Sequence, residues 1–109
     1  MNKKNIDGLS VDNNGEFLRL RFIDPFQWKE MGNPLMEDDH LKILEHKIGE
    51  YIEFIEKEEY KQIYPDSNFS LFIIEMHFEY NYSVNCARYL EMMQMKLREM
   101  GVVFERHFG

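Results

Sequence analysis

Large apolar and charged side chains alternate from Leu18 to Phe22, and this alternation is the feature that most constrains the fold. In an extended strand the two leucines and the phenylalanine fall on one face, and the two intervening arginines fall on the other. Such a strand belongs to a sheet with one covered and one open face. The pattern therefore predicts helices on one side of the sheet only.

The same strand forms the second half of a predicted hairpin. Ile6 to Val11 reads as the first strand and Glu16 to Ile23 as the second. Between them lies Asp12-Asn13-Asn14-Gly15, a turn of residues that tolerate positive φ. Asp24 is expected to cap a short turn that starts at Pro25 and carries Phe26 and Trp28.

Two later segments have helical spacing and alternate with two strands. We predict helices from Glu37 to Gln62 and from an N-cap at Ser83 to Met100, with strands at Phe69 to Tyr80 and Val102 to Phe108. The fold class is α+β: a two-layer sandwich of order ββαβαβ, with a four-stranded mixed sheet and two helices on one face. Right-handed crossovers would make the strands that each helix links parallel.

Length, charge and cysteine content exclude several classes of protein. The chain has 109 residues, which fits a single domain over 1–109, and its net charge of −7 opposes binding to nucleic acid or anionic membranes. Cys86 is the single cysteine, so neither an internal disulfide nor a cysteine zinc site is expected. With no recognisable signal peptide and no apolar stretch long enough to span a bilayer, we predict a cytoplasmic protein.

Several short motifs spread along the chain resemble a family of short, uncharacterised bacterial proteins, a domain of unknown function. The matching motifs are Ile6-Asp7, Asp24-x-x-x-Trp28, His40-Leu41, Lys47-Ile48, Tyr51, Phe54-Ile55-Glu56 and Tyr64-Pro65. That family has no established activity, so the resemblance implies a fold and nothing catalytic.

The open face of the predicted sheet carries an apolar end. Phe17, Leu71 and Ile73 are expected there, near Val103 and Phe69, and an exposed apolar patch usually marks an interface. We therefore predict that this patch binds a partner, with cover by the chain's own termini or by the Trp28 turn as the alternative.

The other end of that face is charged. Glu75, His77, Glu105 and His107 could converge there, which is a donor set that can hold a divalent metal. The neighbouring Arg19 and Arg21 favour cross-strand ion pairs instead, because a guanidinium repels a cation. We expect ion pairs and no bound metal or other cofactor.

The long helix carries most of the negative charge. Residues 37–60 contain nine acidic residues and three lysines, a net −6. Glu50, Glu53 and Glu56 point away from its apolar stripe and could engage a basic protein, or could form a solvated surface.

No catalytic motif accompanies these features. The leading hypothesis is a non-enzymatic protein-interaction module, either an acidic inhibitor or immunity-type protein or a homodimeric accessory protein. Its partner would be a basic protein or a second copy of the chain, bound through the outer sheet face or the exposed edge of the last strand. The alternative is a small metal-dependent enzyme that uses the outer sheet face. A third hypothesis is a small-ligand binder with an aromatic pocket around Trp28, Tyr51 and Tyr80.

Overall fold

The structure, a computed structural model, describes residues 6–12, 14–25, 36–80 and 82–108. The elements follow the predicted order: β1 Gly8–Asp12, β2 Phe17–Asp24, α1 Met36–Glu56, β3 Leu71–Phe78, α2 Val84–Leu97 and β4 Val102–Phe108. Short 3-10 turns follow each helix, at Glu59–Gln62 and Arg98–Met100. The predicted turn at Phe26 and Trp28 lies outside the described residues.

The four strands form one sheet in the order β1-β2-β3-β4. β1 and β2 are antiparallel, as a hairpin requires, whereas β2–β3 and β3–β4 are parallel. The parallel pairs follow from the connections, because a helix between two strands returns the chain to the same end of the sheet. The predicted α+β class and mixed sheet are therefore confirmed.

Local sequence signals set several turns and caps as predicted. Asn14 and Gly15 have positive φ in the hairpin turn, with Gly15 N–H donating to the Asp12 carbonyl at 3.2 Å. The Ser83 hydroxyl accepts from Cys86 N–H at 3.1 Å and caps α2. Gly101 has φ 76° after the second 3-10 turn, a conformation that glycine adopts without steric cost.

The core lies between the sheet and the helices. It includes Leu18, Leu20 and Phe22 from the alternating strand, and Ile48 and Tyr51 from α1, all at most 1% exposed. Both helices bury one face only. Among the described residues, none of the helices combines the length and apolar character needed to cross a membrane.

Several predicted element ends differ from the structure. β1 starts at Gly8 and not at Ile6, β3 starts at Leu71 and not at Phe69, and α2 ends at Leu97 and not at Met100.

Two further differences change which residues lie at the surface. α1 stops at Glu56 because Glu58 takes a left-handed conformation, φ 54°, which turns the Tyr60 ring toward the rings of Phe69 and Phe72. Phe69 therefore packs with the core and not on the outer face. β3 also ends at Phe78 and not at Tyr80, whose side chain is 42% exposed.

Candidate interaction surfaces

The open face of the sheet is built from one set of alternate residues on each strand. The register aligns Arg19, Ile73 and Val103 in one row, Arg21, Glu75 and Glu105 in the next, and Ile23, His77 and His107 in a third. Because neighbours in a row lie about 5 Å apart, their side chains interact directly. The charged residues predicted for this face, Arg19, Glu75, His77, Glu105 and His107, thus form one continuous surface, which we call the charged ladder.

The apolar end of this face is less exposed than the sequence suggests. Ile73 is only 7% exposed although it lies on the face of the sheet opposite the core, and Phe17 and Leu71 are half-buried. Ile73 lies between Arg19 and Val103 in the register, so its neighbours shield it. A role for these three apolar residues in partner binding stays a prediction.

Arg19 connects all four strands through its guanidinium. Its Nε lies 2.8 Å from Asp12 Oδ2 on β1, and its Nη1 lies 3.2 Å from Glu75 Oε1 on β3 and 2.6 Å from Glu105 Oε1 on β4. The hydrogen bond to Asp12, followed by those to the two glutamates, raises the pKa of Arg19 although burial opposes the shift. The predicted cross-strand ion pairs are therefore confirmed for Arg19, whereas Arg21 forms none with any residue that the structure describes.

The two histidines of the ladder each bind a glutamate two positions earlier on their own strand. His77 contacts Glu75, and His107 Nε2 lies 2.9 Å from Glu105 Oε1, while the two imidazole rings stack at 4.9 Å. Burial alone would raise the pKa of Glu75, but hydrogen bonds from His77 and Arg19 lower it below its usual value. The hydrogen bond from His107, opposed by burial and assisted by Arg19, lowers the pKa of Glu105.

These contacts bear on the alternative of a metal site. Both carboxylates already bind the Arg19 guanidinium, whose charge would repel a metal cation. Within the part of the chain that the structure describes, no group of three or more histidine, cysteine or acidic side chains is arranged to hold a metal ion. The geometry therefore gives the metal-dependent alternative no support.

Two of the acidic side chains of α1 contact a side chain four residues away in the chain. Glu53 binds Lys57 at 2.7 Å, Glu50 lies 3.5 Å from the exposed His46, and Glu56 is exposed. Whether this surface binds a basic protein stays a prediction.

A side chain that sequence reasoning missed covers the first part of the free edge of β4, from Val102 to Phe104. The Gln94 amide of α2 donates to the Val102 carbonyl at 3.0 Å and accepts from Phe104 N–H at 2.7 Å. The backbone groups of successive strand residues point to opposite sides of the strand. The Phe104 carbonyl, the backbone N–H and carbonyl of Arg106, and the Phe108 N–H therefore also face this edge. They meet no hydrogen-bonding side chain among the described residues.

A second missed feature is a buried, hydrogen-bonded pair of a histidine and a carboxylate that joins β2 to α1. His40 Nε2 lies 2.9 and 2.7 Å from the two carboxylate oxygens of Asp24, and both side chains are 5% exposed. From the sequence, Asp24 is expected to cap a turn, and His40 stands out only as part of a motif that resembles the family. The pair fixes the end of the sheet to the start of the helix.

Next to this pair, Asp7 organises a third group of contacts. Its Oδ2 accepts from Ile23 N–H at 2.7 Å and from Lys47 Nζ at 2.6 Å. The Tyr51 hydroxyl accepts from Asp7 N–H at 3.0 Å and donates to the Arg21 carbonyl. Burial, and to a lesser extent the Asp7 charge, raises the pKa of Tyr51.

These contacts surround a cavity of about 370 Å³ between the end of β2 and α1. Its walls are mostly apolar, and its polar groups come from the two clusters above. The lining residues are Asp7, Phe22, Ile23, Asp24, Pro25, His40, Ile43, Leu44 and Lys47. The aromatic pocket predicted around Trp28, Tyr51 and Tyr80 is not tested, since Trp28 lies outside the described residues.

Comparison with protein families matches residues 1–108 to a family described as a family of unknown function, DUF6572. No match was found to a curated protein or to a solved structure.

Proposed function

We propose that this chain, which belongs to the DUF6572 family of unknown function, is a non-enzymatic interaction module that works as a homodimer through the β4 edge. The observation that carries the proposal is the unequal cover of that edge. Gln94 occupies its first half, and its second half presents groups that fit a second copy. An acidic inhibitor or immunity-type role is one form of such a module, in which α1 faces a basic partner.

Two-fold antiparallel pairing centred on Arg106 uses the open backbone groups of the edge. In that register the N–H and C=O of Arg106 bond to those of Arg106 in the second copy, and the Phe104 carbonyl accepts from Phe108 N–H of the second copy. The Phe104 N–H needs no partner from the second copy, because it already donates to the Gln94 side chain. The result is one eight-stranded sheet.

Apart from Arg106, the side chains of this register are complementary on both faces. On the outer face Glu105 lies opposite His107 of the second copy, which is an acid against a base. On the helix side Phe104 lies opposite Phe108, which is 51% exposed in the single chain. Arg106 opposes its own copy, and this repulsion limits the affinity. For so small a contact we expect a dissociation constant on the order of micromolar.

Replacing Arg106 with proline tests the proposal. Proline lacks the backbone N–H and is tolerated on a strand edge whose N–H faces solvent, so Arg106→Pro should fold and stay monomeric. Arg106→Ala keeps the N–H and removes the repulsion, so it should dimerise at least as tightly as the native chain. Sedimentation equilibrium at about 1–100 µM, bracketing the expected constant, measures both. A native chain that is monomeric throughout, or an Arg106→Pro variant that dimerises normally, would contradict the proposal.

A cysteine scan tests the register. Directly opposed residues that exchange hydrogen bonds have Cα atoms about 5.5 Å apart, within the range of a disulfide. Arg106→Cys should therefore form a disulfide-linked dimer under mild oxidation. Phe108→Cys, at a more exposed position of the same strand, lies opposite Phe104 and not opposite itself, so it should cross-link far more slowly despite its greater exposure. Equal rates for the two variants would exclude this register.

A further inference from the structure

We infer that the cavity between β2 and α1 binds a small, uncharged molecule that has one N–H or O–H donor beside an apolar body. The cavity is separated from the β4 edge by β3, because its strand residues come from β2 and the strand order is β1-β2-β3-β4. Ligand sites are commonly concave and mostly apolar, with a few convergent polar groups. This cavity has that composition.

The cavity is held in shape by contacts that do not need a ligand. Asp24 and His40 form its buried side, and Lys47 Nζ donates to the Ile23 carbonyl at 3.1 Å while lying 4.8 Å from the centre of the Phe22 ring. These contacts tie β2 to α1 on both sides of the opening. A ligand would therefore enter a preformed site and lose little affinity to reorganisation.

The donor in the ligand is argued from Asp7. Its Oδ2 takes the hydrogen bonds from Ile23 and Lys47, whereas its Oδ1 accepts none from any residue that the structure describes. The Asp7 side chain is 28% exposed and lines the cavity, so Oδ1 can accept from a molecule inside it. A carboxylate oxygen accepts and does not donate, which selects a ligand with a donor group.

The absence of charge on the ligand follows from the partners that the acidic side chains of the lining already have. Asp7 binds Lys47 Nζ, and Asp24 binds His40 Nε2. An added charge would have to be desolvated without a counter-charge of its own, which is costly. The volume corresponds to roughly a dozen heavy atoms, taking about 30 Å³ for each.

Indole is a suitable probe, because it is uncharged, aromatic and carries one N–H donor, and 1-methylindole is its control without the donor. Titration of ¹⁵N-labelled native chain with indole should give saturable amide shifts at Ile23, Ile43 and Lys47. 1-Methylindole should bind at least about tenfold more weakly, since the hydrogen bond to a carboxylate is lost. Absence of saturable shifts at these residues, or equal binding of the two probes, would overturn the inference.

A pair of matched variants separates the cavity from other apolar surfaces. Ile43 lines the cavity and is 53% exposed, whereas Ile63 is 50% exposed and lies elsewhere on the surface. Ile43→Trp should fill the opening and abolish indole binding, and Ile63→Trp should leave it unchanged. Equal effects of the two substitutions would contradict the location. Because both residues are exposed, neither substitution should unfold the chain.

Discussion

On the open face of the sheet, one charged side chain joins residues from several strands. Arg19 binds carboxylates from β1, β3 and β4 and so crosses the whole open face. A guanidinium suits this task, because its planar fork carries five donors and its charge does not titrate in the physiological range. An open sheet face without a helix over it is thus stabilised by polar contacts.

The ladder predicts a pH dependence of stability. The pKa of Glu75 is lowered in the folded chain from an ordinary value of 4.5, so its contribution is present above that pH and is lost as pH falls through the folded-state value. Glu75→Gln should cost about 1 kcal/mol at pH 7, and the difference from the native chain should shrink below pH 4.5. Urea unfolding between neutral and acid pH measures this. The exposed Glu79→Gln should change stability little, and a pH-independent cost for Glu75→Gln would contradict the assignment.

A second residue-scale prediction compares two histidines. His40 is 5% exposed against Asp24, whereas His46 is 78% exposed beside Glu50. His40→Ala removes both hydrogen-bonding contacts that His40 makes to the buried Asp24 carboxylate, and should lower the free energy of unfolding by about 3 kcal/mol. His46→Ala should change it by less than about 0.5 kcal/mol. Similar losses in the two variants, measured by chemical denaturation, would show that the buried pair contributes little.

At the scale of elements, local signals predicted most of the fold. The hairpin turn, the Ser83 cap and Gly101 are encoded by adjacent residues, so their structure could be predicted from them. The end of α1 could not, because the left-handed conformation at Glu58 is favoured by contacts of Tyr60 with residues that follow in β3 and the loop before it. Tertiary packing here overrides a helical pattern.

Glu58 therefore provides a prediction for the helix end. Glu58→Gly should raise the free energy of unfolding by about 0.5–1 kcal/mol, because glycine adopts a positive φ without steric cost. Glu45→Gly, in the exposed middle of α1, should lower it by about 1 kcal/mol, since glycine disfavours a helix interior. Thermal unfolding of both variants tests the contrast. Destabilisation by Glu58→Gly would mean that its side chain, 3.2 Å from Lys61, matters more than its backbone.

At the scale of the whole molecule, the candidate sites were the least predictable part. Asp7 meets Lys47 and Tyr51 across 40 and 44 residues, and Asp24 meets His40 across 16 residues. No periodic pattern encodes such contacts, because they depend on how α1 is placed on β2. The ion pairs of the outer face were predictable, since strand alternation and the parallel order bring their residues together. The β4 edge was identified, but its cover by Gln94 was not.

The net charge of −7 per chain predicts how salt acts on association. Two like-charged copies repel at long range, and salt shortens that range from about 30 Å at 0.01 M to about 8 Å at 0.15 M. Self-association should therefore strengthen a few-fold over this range, whereas binding of a basic protein to α1 should weaken. Sedimentation equilibrium at the two salt concentrations measures the change in self-association.

The triple variant Glu53→Gln, Glu56→Gln and Glu59→Gln should dimerise more tightly at low salt and respond less to added salt. Dimerisation that weakens with salt would mean that the Glu105–His107 pairs across the β4 edge outweigh the repulsion between the two chains.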